Sequence, residues 1–285
     1  MSAASKVACI IPYFRAPEKL EKCRAAIKSQ THLPCEAFVR DNSDDNILFT
    51  AAVNEGLRKY VCDPSVQYVI ILNQDAYMEP DCVKQLVAFL EENPACGIAC
   101  PLQYEAIKEP GRWGGLSDPL SFSRTTRHTY WGGSLQAWPL GSHRTDPIDS
   151  YEYPFETFWA NGACMMLRMD MVREVGMFDR NMRFICSDSD FSFTARARGW
   201  KVFVVPQALV QHAAGASGSV ANPEIELVKL RDVEYFTRKW LTGDLYRELA
   251  LEGDRLAHEQ VRETLAKFQA ARQQLEEELA DDEED

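Results

Sequence analysis

The sequence predicts an α/β protein: one doubly wound domain with a mostly parallel central sheet and helices on both faces, followed by a C-terminal helical extension. Three observations carry this. Over the first hundred residues, short apolar runs alternate with amphipathic stretches, as right-handed crossovers between parallel strands require. The clearest run, Val69-Ile-Ile-Leu-Asn-Gln-Asp75, reads as a buried strand and stops on a carboxylate. After residue 223 the pattern shifts to helical spacing alone. At 285 residues with 46% hydrophobic content, the chain is long enough to bury one large core.

Taken in order, Val7 to Ile11 is a continuous apolar run ended by Pro12 and reads as a strand buried on both faces. Pro17 stands where a helix starts, and Leu20, Cys23 and Ile27 recur at three- and four-residue spacing. Ala37 to Val39 is a second strand ending at Arg40-Asp41-Asn42, and residues 47–60 are helical. Gln67 to Leu72 is a third strand. Pro80 opens a helix with Val83, Leu86, Val87 and Leu90 on one face, and Gly97 to Cys100 is a strand closed by Pro101. From Gln103 to Thr157 regularity gives way to Gly, Pro, Ser and aromatics, among them Trp113, Tyr130, Trp131, Trp138, Tyr151 and Tyr153. So long a loop in a compact domain is usually functional or mobile.

Regularity returns at Ala163 to Leu167, followed by a short helix near Asp170 to Val175 that Gly176 stops. A helix from about Ser189 to Arg198 is capped by Gly199, and Lys201 to Val205 is a strand. Glu224 to Leu249 is helical, and Val261, Leu265, Phe268, Leu275 and Leu279 mark a further amphipathic helix whose seam Arg272 interrupts. The reading divides the chain into a main domain, residues 1–222, with an aromatic-rich insert at 103–157, and an extension, residues 223–285. The extension is expected to act as a packing arm or a homodimer contact through its helices.

The formal net charge is -12, but Glu276 to Asp285 carries eight acidic residues, so the body is only mildly acidic. No basic face for phosphate neutralisation is evident, which argues against a nucleic-acid partner. The nine cysteines are odd in number and scattered, without Cys-x-x-Cys spacing, and read as reduced core thiols. The first residues lead directly into a strand, and no apolar run reaches the roughly 18 residues of a membrane span. The expectation is a soluble, cytoplasmic protein.

Three points along the chain carry candidate chemistry. Asp75 ends a strand, where doubly wound sheets gather ligands, although the same position also suits a turn cap before Pro80. Asp41 ends the preceding strand in the same way. In Ser187-Asp-Ser-Asp190, Ser187 and Asp190 have capping-box spacing, which explains Asp190 structurally and leaves Asp188 as the reactive candidate. His212 follows the apolar run Ala208 to Val210. A lone histidine there is commonly structural, but with Asp75 it suits manganese or magnesium with positions open for phosphate oxygens. Electrostatics points the same way: like unit charges about 5 Å apart at an effective dielectric of about 20 repel by about 3 kcal/mol, so carboxylates facing a diphosphate need a cation.

These residues fall in a recognisable order. Ile10-Ile-Pro-Tyr-Phe-Arg15, Gln30-Thr31, Val39-Arg-Asp-Asn-Ser43, Asn54-Glu-Gly-Leu57, Leu72-Asn-Gln-Asp75, Asn161-Gly-Ala163, Val175-Gly-Met-Phe-Asp179 and Ser187-Asp-Ser-Asp190 with Arg196 to Trp200 resemble the motif series of family-2 glycosyltransferases. The rhamnosyltransferase-like branch is the most similar. The resemblance covers roughly residues 6–240 and rests on order and spacing rather than on any single motif.

The resemblance implies a GT-A type, Rossmann-like nucleotide-sugar-binding domain and inverting transfer of a hexose or deoxyhexose from a nucleoside diphosphate sugar to an acceptor hydroxyl. Carried over, Pro12, Tyr13, Asp41 and Asn73 would bind the donor. Asp75 would be the last acid of the D-x-D metal motif, His212 would complete a Mn2+ or Mg2+ site, and Asp188 would be the general base. Two positions depart from the family pattern: Asn73 replaces the first acid of D-x-D, and Ser187 replaces the acid before the base. The acceptor would be a glycan, a lipid-linked glycan or a protein, and one held on a membrane would bring the enzyme to the inner surface. The aromatic insert would either build an acceptor shelf or anchor a loop. Asn73 and Ser187 also motivate a catalytically silent sugar-nucleotide-binding or scaffolding protein. A nucleotidylyltransferase is disfavoured because Pro12-Tyr-Phe-Arg15 lacks the glycines that cradle a triphosphate.

Overall fold

The computed structural model describes residues 6–32, 35–105, 128–129, 134–135, 153–157, 159–213, 222–241 and 258–282. Most of the aromatic insert, including Trp113, Tyr130, Trp131, Trp138 and Tyr151, lies outside the described residues, as do residues 214–221, residues 242–257 and the end of the acidic tail.

In chain order the first half comprises β1 (Lys6–Tyr13), α1 (Pro17–Lys28), β2 (Cys35–Asp41), α2 (Leu48–Val61), β3 (Val66–Leu72), β4 (Ala76–Met78), α3 (Cys82–Glu92) and β5 (Cys96–Glu105). A two-stranded ribbon, β6 (His128–Thr129) and β7 (Ser134–Leu135), precedes β8 (Phe155–Glu156), β9 (Cys164–Arg168), α4 (Met169–Val175), α5 (Ser187–Ala197) and β10 (Lys201–His212). The extension contributes α6 (Pro223–Phe236), a π-helical turn at Thr237–Leu241, and α7 (His258–Asp282).

The main sheet has the order β2-β1-β3-β9-β5-β10-β4, with β8 paired to β10. Its long strands are parallel: β1 with both β2 and β3, and β10 with β5. The exception at the centre is β9, antiparallel to β3 and β5 alike. Its reversal brings the residues that precede it to the carboxyl end of β3. At the far edge, β4 turns back from β3 and pairs antiparallel with the end of β10, placing His212 opposite Ala76.

Strand alternation divides the core. On one face Ala8 and Ile10 of β1, Val69 and Ile71 of β3, and Met165 and Leu167 of β9 pack with Val53 and Leu57 of α2, Val172 of α4 and Phe191 of α5. On the other, Cys9, Ile11, Ile70, Leu72 and Met166 pack with Cys23 and Ile27 of α1 and Leu86, Val87 and Leu90 of α3. Helices thus cover both faces. Cys23, Cys82, Cys96, Cys100 and Cys164 are buried without disulfides, and burial pushes the Cys23, Cys96 and Cys100 thiols up to about 12.

Three local expectations change. β10 runs on through Pro206 to His212, so the strand expected at Lys201 to Val205 and the apolar run Ala208 to Val210 are one element, with a register shift between Val205 and Leu209 where proline cannot donate. The long helix expected from Glu224 changes to π-helix at Thr237, whose hydroxyl bonds back to the Val233 carbonyl at 2.7 Å. Ser187 and Asp190 form no capping box: α5 starts at Ser187, the preceding Cys186 adopts a left-handed φ of 64°, and the Asp190 carboxylate binds the indole N–H of Trp240 and the Lys239 ammonium, both at 2.7 Å. Arg272 of α7 reaches Glu234 of α6 at 2.9 Å, so a charged pair stands between these two helices.

The motif residue Gly56 explains how α2 lies so close to the sheet, because an added Cβ there would stand 2.6 Å from the Ile10 side chain. Gly56→Ala gains about 1 kcal/mol of helix propensity but forces a methyl group into packed, β-branched Ile10, at a cost of about 1–3 kcal/mol. The expected result is a lower urea midpoint than wild type. An equal or higher midpoint would show that Ile10 yields freely.

Candidate active site

The carboxyl ends of β1, β2 and β3, the turn before β9, the start of α5 and the first two turns of α6 enclose a cavity of about 610 Å³. Its lining includes Pro12, Tyr13, Asn42, Asn73, Asp75, Gly162 and Asp188. Four of the residues singled out for the donor and the chemistry, Pro12, Tyr13, Asn73 and Asp188, therefore meet there with Asp75, although more than a hundred residues separate Asp75 from Asp188. Asp41 does not line the cavity: its carboxylate accepts from the Ser43 N–H at 2.9 Å, and neighbouring, buried Asn42 takes the wall. His212 is likewise not part of the lining, but it stands beside Asp75.

The Pro12-to-Arg15 loop is held from below. Gln74 bonds the Phe14 backbone in both directions, accepting at 2.8 Å and donating at 3.1 Å, while the Arg15 guanidinium donates to the Ser43 carbonyl. Arg15 has a φ of 42°, a conformation unusual for a non-glycine residue, which this double anchoring sustains.

Asp75 is fixed through its backbone and its side chain. Its carbonyl accepts from the Ala213 N–H at 2.9 Å, which ties the turn after β3 to the end of β10. The carboxylate is 4% exposed at the residue level, with Oδ1 3.5 Å from His212 Nε2 and Oδ2 3.6 Å from Lys19 Nζ. Burial works against its charge, but the bond and charge of His212 and the charge of Lys19 outweigh it and hold the carboxyl below its usual range.

Asp188 occupies the first turn of α5, where the helix dipole favours a negative charge. Its Oδ2 accepts the Gly162 N–H at 2.9 Å and its Oδ1 the Ser189 N–H at 2.8 Å. Ser192 stitches the same two segments, donating to the Asp188 carbonyl at 2.8 Å and accepting the Ala160 N–H at 3.1 Å. The Gly162 turn also reaches the other carboxylate's loop, since the Ala163 carbonyl accepts the Asn73 N–H at 2.8 Å. Gly162 brings the turn close to Asp188: a Cβ there would lie 3.2 Å from Asp188 Cβ and 3.3 Å from both Asp188 Oδ2 and Phe49, so these neighbours would have to give by a few tenths of an ångström.

The segment leading to Asp188 is gripped from the extension. Buried Asp232 of α6 accepts the N–H groups of Arg183, Phe184 and Ile185 at 2.9, 2.7 and 2.9 Å. Lys239 of the π-helical turn bridges Asp179 at 2.9 Å and Asp190 at 2.7 Å. Asp190 is thus structural, as its position suggested, but through these partners rather than through a cap.

Among the described residues no three His, Cys, Asp or Glu side chains gather as a metal cage. Asp75 and His212 offer one carboxylate oxygen and one imidazole nitrogen side by side, while Lys19 occupies the other oxygen. This donor set fits a magnesium- or manganese-type cation that takes its remaining ligands from phosphate oxygens and water. The sequence reading missed the contribution of α6: Asn222, Ile225, Glu226 and Lys229 all line the cavity. The Asn222-Pro223 pair, an N-cap followed by proline, was the available signal that a helix starts at Pro223.

No curated protein sequence matches the chain. Solved structures do. GalNAc-T7 with UDP, GalNAc and Mn2+ aligns at a TM-score of 0.59 and 13% identity, covering 88% of this chain and 50% of that one. The chain therefore spans half the length of that protein. The mannosyltransferase PcManGT from Pyrobaculum calidifontis, in complex with GDP-Man and Mn2+, aligns at a TM-score of 0.56 and 15% identity, covering 94% of this chain and 74% of that one. At these identities the likeness establishes the fold, the GT-A architecture. The sequence profile of Glycosyl transferase family group 2 matches residues 68–222, more than half of the chain, from within β3 to the residue before α6. The chain belongs to glycosyl transferase family group 2.

Proposed function

We propose that this protein transfers a sugar from a nucleoside diphosphate sugar to an acceptor hydroxyl with inversion at the anomeric carbon, and that Asp188 is the general base. One observation carries the reading: Asp75 and Asp188, from distant parts of the chain, line one cavity whose size suits a drug-sized ligand, and backbone N–H groups aim the Asp188 carboxylate.

In this reading Pro12, Tyr13 and Asn42 hold the nucleoside, with Asp41 behind them, and Asn73 and Asp75 face the diphosphate. Asp75 and His212 hold a divalent cation, which when bound offsets the charge of the diphosphate and of its departure. Manganese accompanies the nucleotide ligands of both similar structures, which supports this assignment. Asp188 takes the proton of the acceptor hydroxyl as its oxygen bonds the anomeric carbon from the face opposite the phosphate. The carbon–oxygen bond to the diphosphate breaks, and the diphosphate leaves with the electron pair. Placing the base at the attacking hydroxyl contributes about a hundred- to ten-thousand-fold. Oδ1 takes the Ser189 N–H and its hydroxyl, whereas Oδ2 takes the Gly162 N–H and keeps a further lone pair for that proton.

A hexose or deoxyhexose donor is proposed, with the motif order placing the chain nearest the rhamnosyltransferase-like branch, and a glycan, lipid-linked or protein acceptor. Residues 1–222 are proposed as the catalytic domain and 223–285 as its extension, which also offers helices for a homodimer. No helix among the described residues is long and apolar enough to cross a membrane, and a lipid-linked acceptor would be met at the surface.

The direct test incubates the protein with a panel of nucleoside diphosphate sugars and manganese and measures released diphosphate. Slow donor hydrolysis is expected, lost in Asp188→Asn, and binding should weaken in Asp75→Ala and His212→Ala only when manganese is present. Equal release by wild type and Asp188→Asn would remove that residue from the mechanism, and donor binding without release, even with acceptors, would favour the silent sugar-nucleotide binder. In the same assay Gly162→Ala, which shifts Asp188 by a few tenths of an ångström, is expected to slow turnover about tenfold or more while leaving thermal unfolding nearly unchanged. Wild-type turnover in that variant would mean the Gly162 contact does not set the position of the base.

A further inference from the structure

The face that α6 turns to the body of the protein changes character along its length. Residues 222, 225, 226 and 229 share that face at helical spacing with Asp232, Val233 and Phe236. The rear half is buried. The front half instead borders the cavity, and there it presents an ion pair, Lys229 Nζ to Glu226 Oε1 at 2.6 Å.

This pair differs from Arg15, the other cation of the lining, and from Lys19 beside Asp75. The Arg15 guanidinium is committed to the Ser43 carbonyl and stacks on Phe14. The Lys19 ammonium stands outside the lining, against Asp75. Lys229 has only a carboxylate as its ionic partner among the described residues, and that carboxylate is itself part of the lining and 53% exposed, so it can swing into solvent. The Lys229 ammonium sits over the Phe184 ring at 5.9 Å, and Asp232, one turn further along α6, fixes the Phe184 backbone. The Lys229 side chain, 26% exposed, is therefore held at the cavity wall.

We propose that Lys229 is a phosphate-binding residue of this cavity and that Glu226 is its resident counter-ion, which gives way when a nucleoside diphosphate enters. The inference rests on the nucleotide-sugar reading and deepens it. With Glu226 in place, Asp75, Asp188 and Glu226 make the wall acidic, and entry of a diphosphate is opposed. Exchange of the Glu226–Lys229 pair for a phosphate–Lys229 pair leaves the ammonium partnered throughout and moves one negative charge into solvent. The site is then completed from α6, which begins where the family match ends at residue 222.

Titration calorimetry with UDP, GDP and dTDP, each in manganese, tests this on wild type, Lys229→Met, Lys229→Arg, Glu226→Gln and the Lys229→Met/Glu226→Gln double variant. For whichever nucleotide wild type binds best, Lys229→Met is expected to weaken binding about tenfold or more, and Lys229→Arg to stay within a few-fold of wild type. Glu226→Gln should tighten binding several-fold, and that gain should vanish in the double variant. Unchanged affinity in Lys229→Met, or a Glu226→Gln gain that persists without Lys229, overturns the inference and leaves the nucleotide-sugar reading standing. Absence of nucleotide binding by wild type overturns both. Glu226→Gln and Lys229→Arg keep the test open should Lys229→Met fold poorly.

Discussion

The site depends on a single short turn, Asn161-Gly-Ala163, that touches both halves of the chemistry. Its Gly162 N–H holds the Asp188 carboxylate and its Ala163 carbonyl holds the Asn73 N–H. The turn can do this because β9 runs against its neighbours, which delivers its entry to the carboxyl end of β3. A parallel β9 would place that entry at the opposite edge of the sheet. The missing Cβ of Gly162 then sets how close Asp188 comes. Sequence separation between the two carboxylates is therefore cancelled by one antiparallel strand and one glycine.

Around this turn, amide side chains clip distant backbone segments together. Gln74 grips Phe14, Asn54 grips Phe178 through both its amide atoms, and Gln30 donates to the Met78 and Glu79 carbonyls while accepting from the Val83 N–H. Each amide offers donor and acceptor at once, so it replaces a missing strand neighbour where the chain leaves the sheet. Leaving such buried backbone groups unpaired would cost about 1–3 kcal/mol each. The scattered motif residues Gln30, Asn54 and Gln74 are thus fastenings between distant segments, and of the three only Gln74 borders the cavity.

Much of the fold was legible because burial on both faces leaves a plain mark. The runs in β1, β3 and β5 and the spacings in α1 and α3 need no partner to be recognised. Asp75 and Asp188 were legible for a related reason, as carboxylates standing at the ends of such elements. The antiparallel direction of β9 was not, since Cys164-Met-Met-Leu167 is apolar throughout and carries no sign of orientation. Nor was the true role of Asp190, which depends on Lys239 and Trp240 some fifty residues later, or the displacement of Asp41 by Asn42 at the wall. The part of α6 in the site was hidden for the same reason. Helical periodicity identifies the face that turns inward, but not whether core or cavity lies opposite.

The central claim is spatial: a diphosphate and its cation sit between the Asp75–His212 pair and the Asp188 carboxylate. The most direct measurement is a crystal structure of the protein grown with a nucleoside diphosphate and manganese, with the metal located by its anomalous scattering. The account predicts one anomalous peak within coordination distance of Asp75 and His212, with the diphosphate on its cavity side and Asp188 facing the vacant acceptor position. A peak elsewhere, or a nucleotide bound outside the cavity, would contradict it.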